Sequence, residues 1–358
     1  MKSAPNISCL RQGVSLRDLA QVVALRLEGA SAFALLDRMS TAPIYVREGQ
    51  IKQSLFLLPD GKIFADILIA SGGGGFFVLS EGPSREDLLS YISTYGGDAA
   101  LQTSIVDLSE AYDSFGVGGP FAWEFVRALL GPTVLGMGHL TLIAVGPERK
   151  TLCFRTGMAG EYGYCIFVPK NESAHVRETL SQLAAQFDLE TMTQGDLELA
   201  AVEQGIFNIS LLNALGSLKT LGPIELQLQS RVGFERSFVG AESLNHKRLH
   251  GTTHRTTSFS AASLLAEGSP ILLEGVKVGT VLVTRQSPCR GDVVGLCLLE
   301  KKYAHPGIDA FFAHIDEGLI QIFTKTPPLL TNRSLAVNSL VHAYATRSTA
   351  NFPPLVIE

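Results

Sequence analysis

Residues 155–169 read R-T-G-M-A-G-E-Y-G-Y-C-I-F-V-P. Three glycines, one arginine and one carboxylate stand in the first ten positions, between two strand-like runs. Glycine this dense costs the folded chain backbone entropy, so a tight turn or a close approach is implied. The stretch reads either as a hairpin corner or as the wall of a ligand pocket. Taken as a regular strand, 161–166 sends Glu161 and Gly163 to one side and Tyr162, Tyr164 and Ile166 to the other. Glu161 and Tyr164 then diverge.

Working outward, the segment upstream repeats a strand-then-helix theme. A strand near Ser114–Val117 leads through G-G-P into the helix F-A-W-E-F-V-R-A-L-L, and residues 173–187 form an apolar-periodic helix. Near the N-terminus, a strand from Val22 to Leu27 and the Gly29 turn precede a helix ending near Arg38, with Ser31 as its N-cap. Pro59-Asp60-Gly61 joins two apolar runs into a hairpin. Gly72–Gly75 is a hairpin tip before the strand Phe76–Leu79, and Ser84-Arg85-Glu86-Asp87 opens a helix with a cap and early acids. From about residue 270 the chain changes to short strands with turn signals, which predicts an antiparallel β-barrel. With the boundary after the Ser/Thr-rich 252–263, two regions are expected, 1–265 and 270–358. The fold class is α+β.

Composition excludes several classes. The chain has 358 residues, 46% of them apolar and 18% charged, so it can bury a sizeable core. A net charge of −5 gives no reason to expect nucleic acid or an anionic membrane as a partner. Five cysteines without C-x-x-C spacing argue for a reducing compartment and against a zinc site. No signal peptide and no membrane span are expected, which makes a cytoplasmic protein the default. The eight histidines form no H-E-x-x-H, no G-x-S-x-G is present, and G-G-G-G at 72–75 lacks the Lys-Ser/Thr of a phosphate loop.

Asp66 stands apart. It lies inside the apolar strand I-F-A-D-I-L-I-A, where a carboxylate must face solvent, find a partner or line a cavity. Alternation puts Phe64, Asp66 and Leu68 on one face and Ala65, Ile67 and Ile69 on the other.

These residues together resemble the glycine cleavage T protein family, the aminomethyltransferases. Residues 155–169 are similar to that family's R-T-G-Y-T-G-E-D-G-F-E-I-x-V-P. In order along the chain, L-R-L-E-G-A-S-A-F-A-L-L-D-R (25–38), D-G-K-I-F-A-D-I-L-I (60–69), D-L-S-E-A-Y-D-S-F-G-V-G-G-P (107–120), F-V-G-A-E-S-L (238–244) and V-G-T-V-L-V-T-R-Q-S-P (278–288) also resemble family segments. The resemblance implies a three-lobed ring, two lobes of it intertwined within 1–265, with a C-terminal barrel. It implies a central hole for tetrahydrofolate, to which a carbon passes from an aminomethyl arm on a lipoyl carrier protein. The second carboxylate of the family's D-D pair, facing the reacting folate nitrogens, falls on Asp66 as the catalytic residue, and the first falls on Ala65. Arg155, Glu161, Tyr164 and Cys165 fall on the folate-binding stretch, and Arg155, Glu161 and Tyr164 are expected to share one opening with Asp66.

Three departures bear on the chemistry. The family's Tyr in G-Y-T-G-E is Met158 here, its Arg in A-R-D-x-L-R-L-E-A-G falls at Leu197, and the Glu that grips the pterin edge is Cys165. A thiol cannot make that bidentate grip. Iron–sulfur repair relatives of the fold carry K-G-C-Y-x-G-Q where this chain has E-R-S-F-V-G-A-E (235–242), and Ser237 replaces their cysteine. The expected function is tetrahydrofolate-dependent one-carbon transfer of the aminomethyltransferase type. The alternatives are a folate-dependent demethylase and a non-catalytic module binding a small molecule or a protein.

Overall fold

The computed structural model describes residues 7–348 except 147, 158 and 316–317, together with the backbone of Val356–Ile357. Met158 therefore lies outside the described residues, as does the far end of the expected 270–358 region.

The described residues build two antiparallel-rich sheets, a closed barrel and a two-stranded pair, Leu330–Thr331 with Val356–Ile357. The first sheet has five strands, in the order Ile51–Leu57, Ile63–Gly72, Gly75–Glu81, Val23–Glu28 and Ser104–Asp107. The helices Ala32–Met39 and Arg85–Tyr95 cover one face, where Leu35, Leu36, Leu88 and Ile92 meet Ala65, Ile67 and Ile69. The second sheet has six strands, in the order Glu190–Met192, Ser15–Asp18, Tyr112–Gly118, Gly163–Pro169, Thr151–Arg155 and Thr141–Val145. The helices Ala122–Leu130 and Ser173–Gln186 pack behind it.

The two lobes are interlaced. Ser15–Asp18 belongs to the second sheet, the next strand to the first, and the chain returns to the second only at Tyr112. Among the paired strands, Ser15–Asp18 with Glu190–Met192 is a parallel match, which needs the long connection the chain supplies.

Local chemistry explains most element ends. At the Pro59–Gly61 turn, Asp60 Oδ1 accepts from the Lys62 amide at 3.1 Å. Gly73 and Gly74, with φ of 58° and 76°, form the two-residue turn that pairs Gly72 with Gly75. Ser84 Oγ accepts from the Asp87 amide, as an N-cap should. Ser31 sits at its expected N-cap position but makes no capping bond; its hydroxyl is bonded to Gln102 Oε1 at 2.8 Å instead.

The barrel closes when Gly318–Lys325 pairs with His254–Ala261. Its first strand is thus the Ser/Thr-rich run that the expected boundary left on the other side, so the barrel begins some way ahead of residue 270. The reason lies in alternation: Phe259 and Ala261 enter the barrel core, while Thr256 faces out and donates to the Glu225 carbonyl at 3.1 Å.

Candidate functional site

A cavity of about 70 Å³ opens between the two sheets, bordered by Asp66, Glu81, Arg17, Glu161, Tyr164 and Cys165 among others. Its apolar wall includes Leu10, Val22, Leu68, Leu79 and Leu197.

Hairpin register places the charges. The two-residue turn at Gly73–Gly74 sets Asp66 directly opposite Glu81. Like charges opposite each other across a ladder repel, and each is met by an arginine from elsewhere. Arg231 Nη1 donates to Asp66 Oδ1 at 2.7 Å, and Arg17 Nη2 donates to Glu81 Oε1 at 2.8 Å. Asp66 is 8% exposed. Burial drives its carboxyl up from 3.8 to about 6; Glu81 pushes the same way and Arg231 opposes. A carboxyl titrating there can hold or release a proton near neutral pH.

Arg17 and Cys165 both pair with Gly116, from the strands on either side of it. A Cβ at Gly116 would stand 3.2 Å from that of Arg17, so the missing side chain leaves Arg17 room to lie across. Arg17 Nε is buried without a hydrogen-bond partner. Burial pushes the Cys165 thiol up to about 11, with Arg17 opposing and Glu81 adding. The side chain at 165 is therefore a neutral thiol beside an arginine.

The glycines of 155–164 are explained by contact. Gly157 and Gly163 pack face to face: a Cβ on Gly163 would lie 2.5 Å from the Gly157 Cα. The loop thereby folds onto itself at the mouth of the second sheet and presents its edge to the cavity. The regular strand starts only at Gly163, so the expected alternation does not run through 161, and Glu161 and Tyr164 both border the cavity. Their side chains are nonetheless engaged elsewhere. Glu161 accepts from Arg11 at 3.4 Å, from the Ser334 amide and hydroxyl at 2.9 and 2.6 Å, and from the Arg333 amide at 3.2 Å. Arg11, fully buried, also holds Glu203 at 2.8 Å. This is a clamp joining the N-terminal helix, the loop and the C-terminal segment. Tyr164, 2% exposed, packs with Val117 and Ile166 in the core of the second lobe.

Arg155 does not join them. It is absent from the cavity lining; its guanidinium donates to the Met137 carbonyl and lies over the Tyr162 ring, 5.1 Å from the centroid. Sequence reasoning missed Arg17, Glu81 and Arg231. Only Glu81 carried a signal, the count across the Gly73–Gly74 turn.

With this geometry in view, comparison with known proteins identifies the lineage. A family model described as the GCVT N-terminal domain matches residues 2–232. The chain belongs to the glycine cleavage T protein family. It is 23% identical over 306 residues to the aminomethyltransferase of Bacillus subtilis (strain 168), covering 83% of each chain. Over 351 residues it is 22% identical to a probable aminomethyltransferase of Pyrococcus abyssi, covering 89% of this chain and 87% of that one. The crystal structure of the glycine cleavage system aminomethyltransferase T from Bartonella henselae matches with a TM-score of 0.76 at 15% identity, over 89% of this chain and 87% of that one. That likeness establishes the fold: mixed α+β with a C-terminal antiparallel barrel. Among the described residues, no helix is long and apolar enough to cross a membrane, and no cluster of His, Cys, Asp and Glu could hold a metal ion.

Proposed function

We propose that the chain performs one-carbon transfer of the aminomethyltransferase type, with Asp66 as the carboxylate at the reacting centre and tetrahydrofolate as a weakly held acceptor. The observation that carries this reading is Asp66 itself, buried in the cavity between the sheets, gripped by Arg231 and titrating near pH 6. When bound, tetrahydrofolate supplies the nitrogens that take up the carbon. Ionised, Asp66 stabilises positive charge developing beside it; protonated, it returns a proton. Arg231 keeps the carboxylate oriented through Oδ1. Leu68 and Leu79 shed water from the cavity and so strengthen both effects.

The residues fit such a ligand in kind. Apolar walls suit a flat ring, and the unpartnered Arg17 Nε–H is a donor for a ring carbonyl. The acid that would accept from the opposite ring edge is replaced by Cys165. The donor could equally be a methyl compound, which would make the chain a folate-dependent demethylase. A lipoyl carrier protein is the partner in the first case.

A second reading is favoured by the size of the cavity. The cavity is about 70 Å³, whereas a cavity that takes a single benzene ring is about 150 Å³. Unless the lobes part, the chain is a binding module that keeps the family's frame without its folate.

Calorimetric titration with tetrahydrofolate separates the two, using the unaltered chain and Cys165→Glu. One-carbon chemistry on a weakened site predicts poor binding by the first and binding roughly ten-fold or more tighter by the second, from one restored charge-assisted pair. Silence from both proteins favours the module. Submicromolar binding by the unaltered chain would overturn the inference that losing the glutamate weakens the grip.

A further inference from the structure

A second cavity, of about 420 Å³, lies where the segment 201–212 and residues 226–228 meet the end of the barrel. It is several times larger than the space between the sheets and falls within the range typical of small-molecule sites. Its wall has two characters. Phe207, Leu211, Leu212 and Leu228, each at most 9% exposed, form an apolar side. The barrel contributes Arg255, His305 and Lys325, and no Asp or Glu lies among the lining residues.

The cations lack carboxylate partners, although the Lys325 ammonium lies over the Phe323 ring, 4.5 Å from its centroid. Among the described residues no carboxylate pairs with Arg255 or Lys325. They come from neighbouring strands: Lys325 is paired with Ser258, three residues along from Arg255. Alternation sets Lys325 on the Ser258 face of the barrel wall and Arg255 on the opposite face, so each borders the cavity from its own side.

Two further features mark the wall as built for a ligand. Asn208 Oδ1 accepts from the Leu211 amide at 2.8 Å, and among the described residues no hydrogen bond of its Nδ2 is seen. Gln227 holds a left-handed backbone, φ 60°, and strain of this kind in a non-glycine residue gathers at binding sites.

We propose that this cavity binds a small organic anion of amphipathic build, its charged head lying on the basic side to which Arg255 and Lys325 contribute and its apolar body lying against Phe207, Leu212 and Leu228. A negative group is required because the lining carries cations without counter-charges. An apolar body is required because water gains little against four large hydrophobic side chains. If about 150 Å³ houses one benzene ring, this cavity has room for a ring with a short arm. The site is separate from the one between the sheets, although Phe207 also carries on its ring the Arg231 guanidinium that holds Asp66, 5.7 Å from the centroid. Its occupation does not depend on whether folate binds.

The test uses 4-phenylbutyrate and its uncharged isostere 4-phenylbutyramide as probes, titrated by calorimetry into the full chain and into the double variant R255Q/K325Q. Both substituted side chains are only partly buried and lie outside the Asp66 site, and melting temperature checks that the variant is folded. The acid is expected to bind the unaltered chain at least about ten-fold more tightly than the amide, since charge-assisted contacts are the strong ones. In the double variant that preference is expected to collapse to less than about two-fold while the amide's own affinity stays put. Equal binding of acid and amide by the unaltered chain overturns the proposal. So does a preference that survives the double substitution, or no binding of either probe at millimolar concentration. A variant that melts much earlier is replaced by R255K/K325R, for which retention of the acid preference is the expected result and its loss the refuting one.

Discussion

Replacing Asp66 with Asn removes a titration and leaves most of the geometry, because the amide oxygen can still accept from Arg231 Nη1, now 2.7 Å from Asp66 Oδ1. In the folded chain the Asp66 carboxyl is raised from 3.8 to about 6. A raised folded-state value means the native protein binds the proton more tightly than the unfolded one. The stabilising contribution of that proton is therefore complete below the unfolded value and is lost as pH rises through the folded one. A ten-fold difference in proton affinity is worth about 1.4 kcal/mol, so the full loss is about 3 kcal/mol, most of it falling between pH 4 and 8. Asp66→Asn carries no such loss. Its stability relative to the unaltered chain should climb by about 2–3 kcal/mol across that window, read by urea unfolding of both proteins at each pH. The difference isolates Asp66, because the other titrating groups are common to both chains. A stability difference that stays flat within about 0.5 kcal/mol would refute the claim that this carboxyl is buried and perturbed, and with it the proposed role in proton transfer.

Arg11→Met leaves Glu161 and Glu203 facing each other in a dry interior without their cation, and removing one partner of a buried ion pair typically costs about 3–5 kcal/mol; differential scanning calorimetry should show a large drop in melting temperature, and a drop under about 1 kcal/mol would mean water reaches the clamp. Gly205→Ala is expected to destabilise by more than about 1 kcal/mol, because Gly205 has φ +63° and a Cβ there would stand 2.3 Å from that of Pro327; an unchanged urea midpoint would contradict that contact. The thiols should react sluggishly with an aromatic disulfide at pH 8, since burial pushes Cys9 up to about 12 and Cys165 up to about 11 and the thiolate is the nucleophile; a fast phase of more than one equivalent would show that a thiol is more accessible than described.

Much of this protein was readable along the chain because its local hydrogen bonds and turns are made by neighbours in sequence. The Asp60 turn, the Ser84 cap, the helix from Ser173 and the strand carrying Asp66 all follow from bonds closed within a few residues. Even Glu81 could have been paired with Asp66 by counting outward from a two-residue turn. The family's motif order then carried the chain as a whole. Periodicity went wrong where it had nothing periodic to act on: Glu161 lies in a loop that folds back through the Gly157–Gly163 contact, and the Ser/Thr-rich 254–261 was left ahead of the barrel because its pattern gave no apolar alternation. What only the tertiary structure decided is which charges meet. Asp66 and Arg231 are 165 residues apart, Arg11 and Glu203 are 192 apart, and Arg17 reaches Glu81 from a different sheet. No spacing rule spans such intervals. An ion pair of this kind exists because packing has already brought two distant segments together and removed the water that would otherwise have satisfied each charge alone.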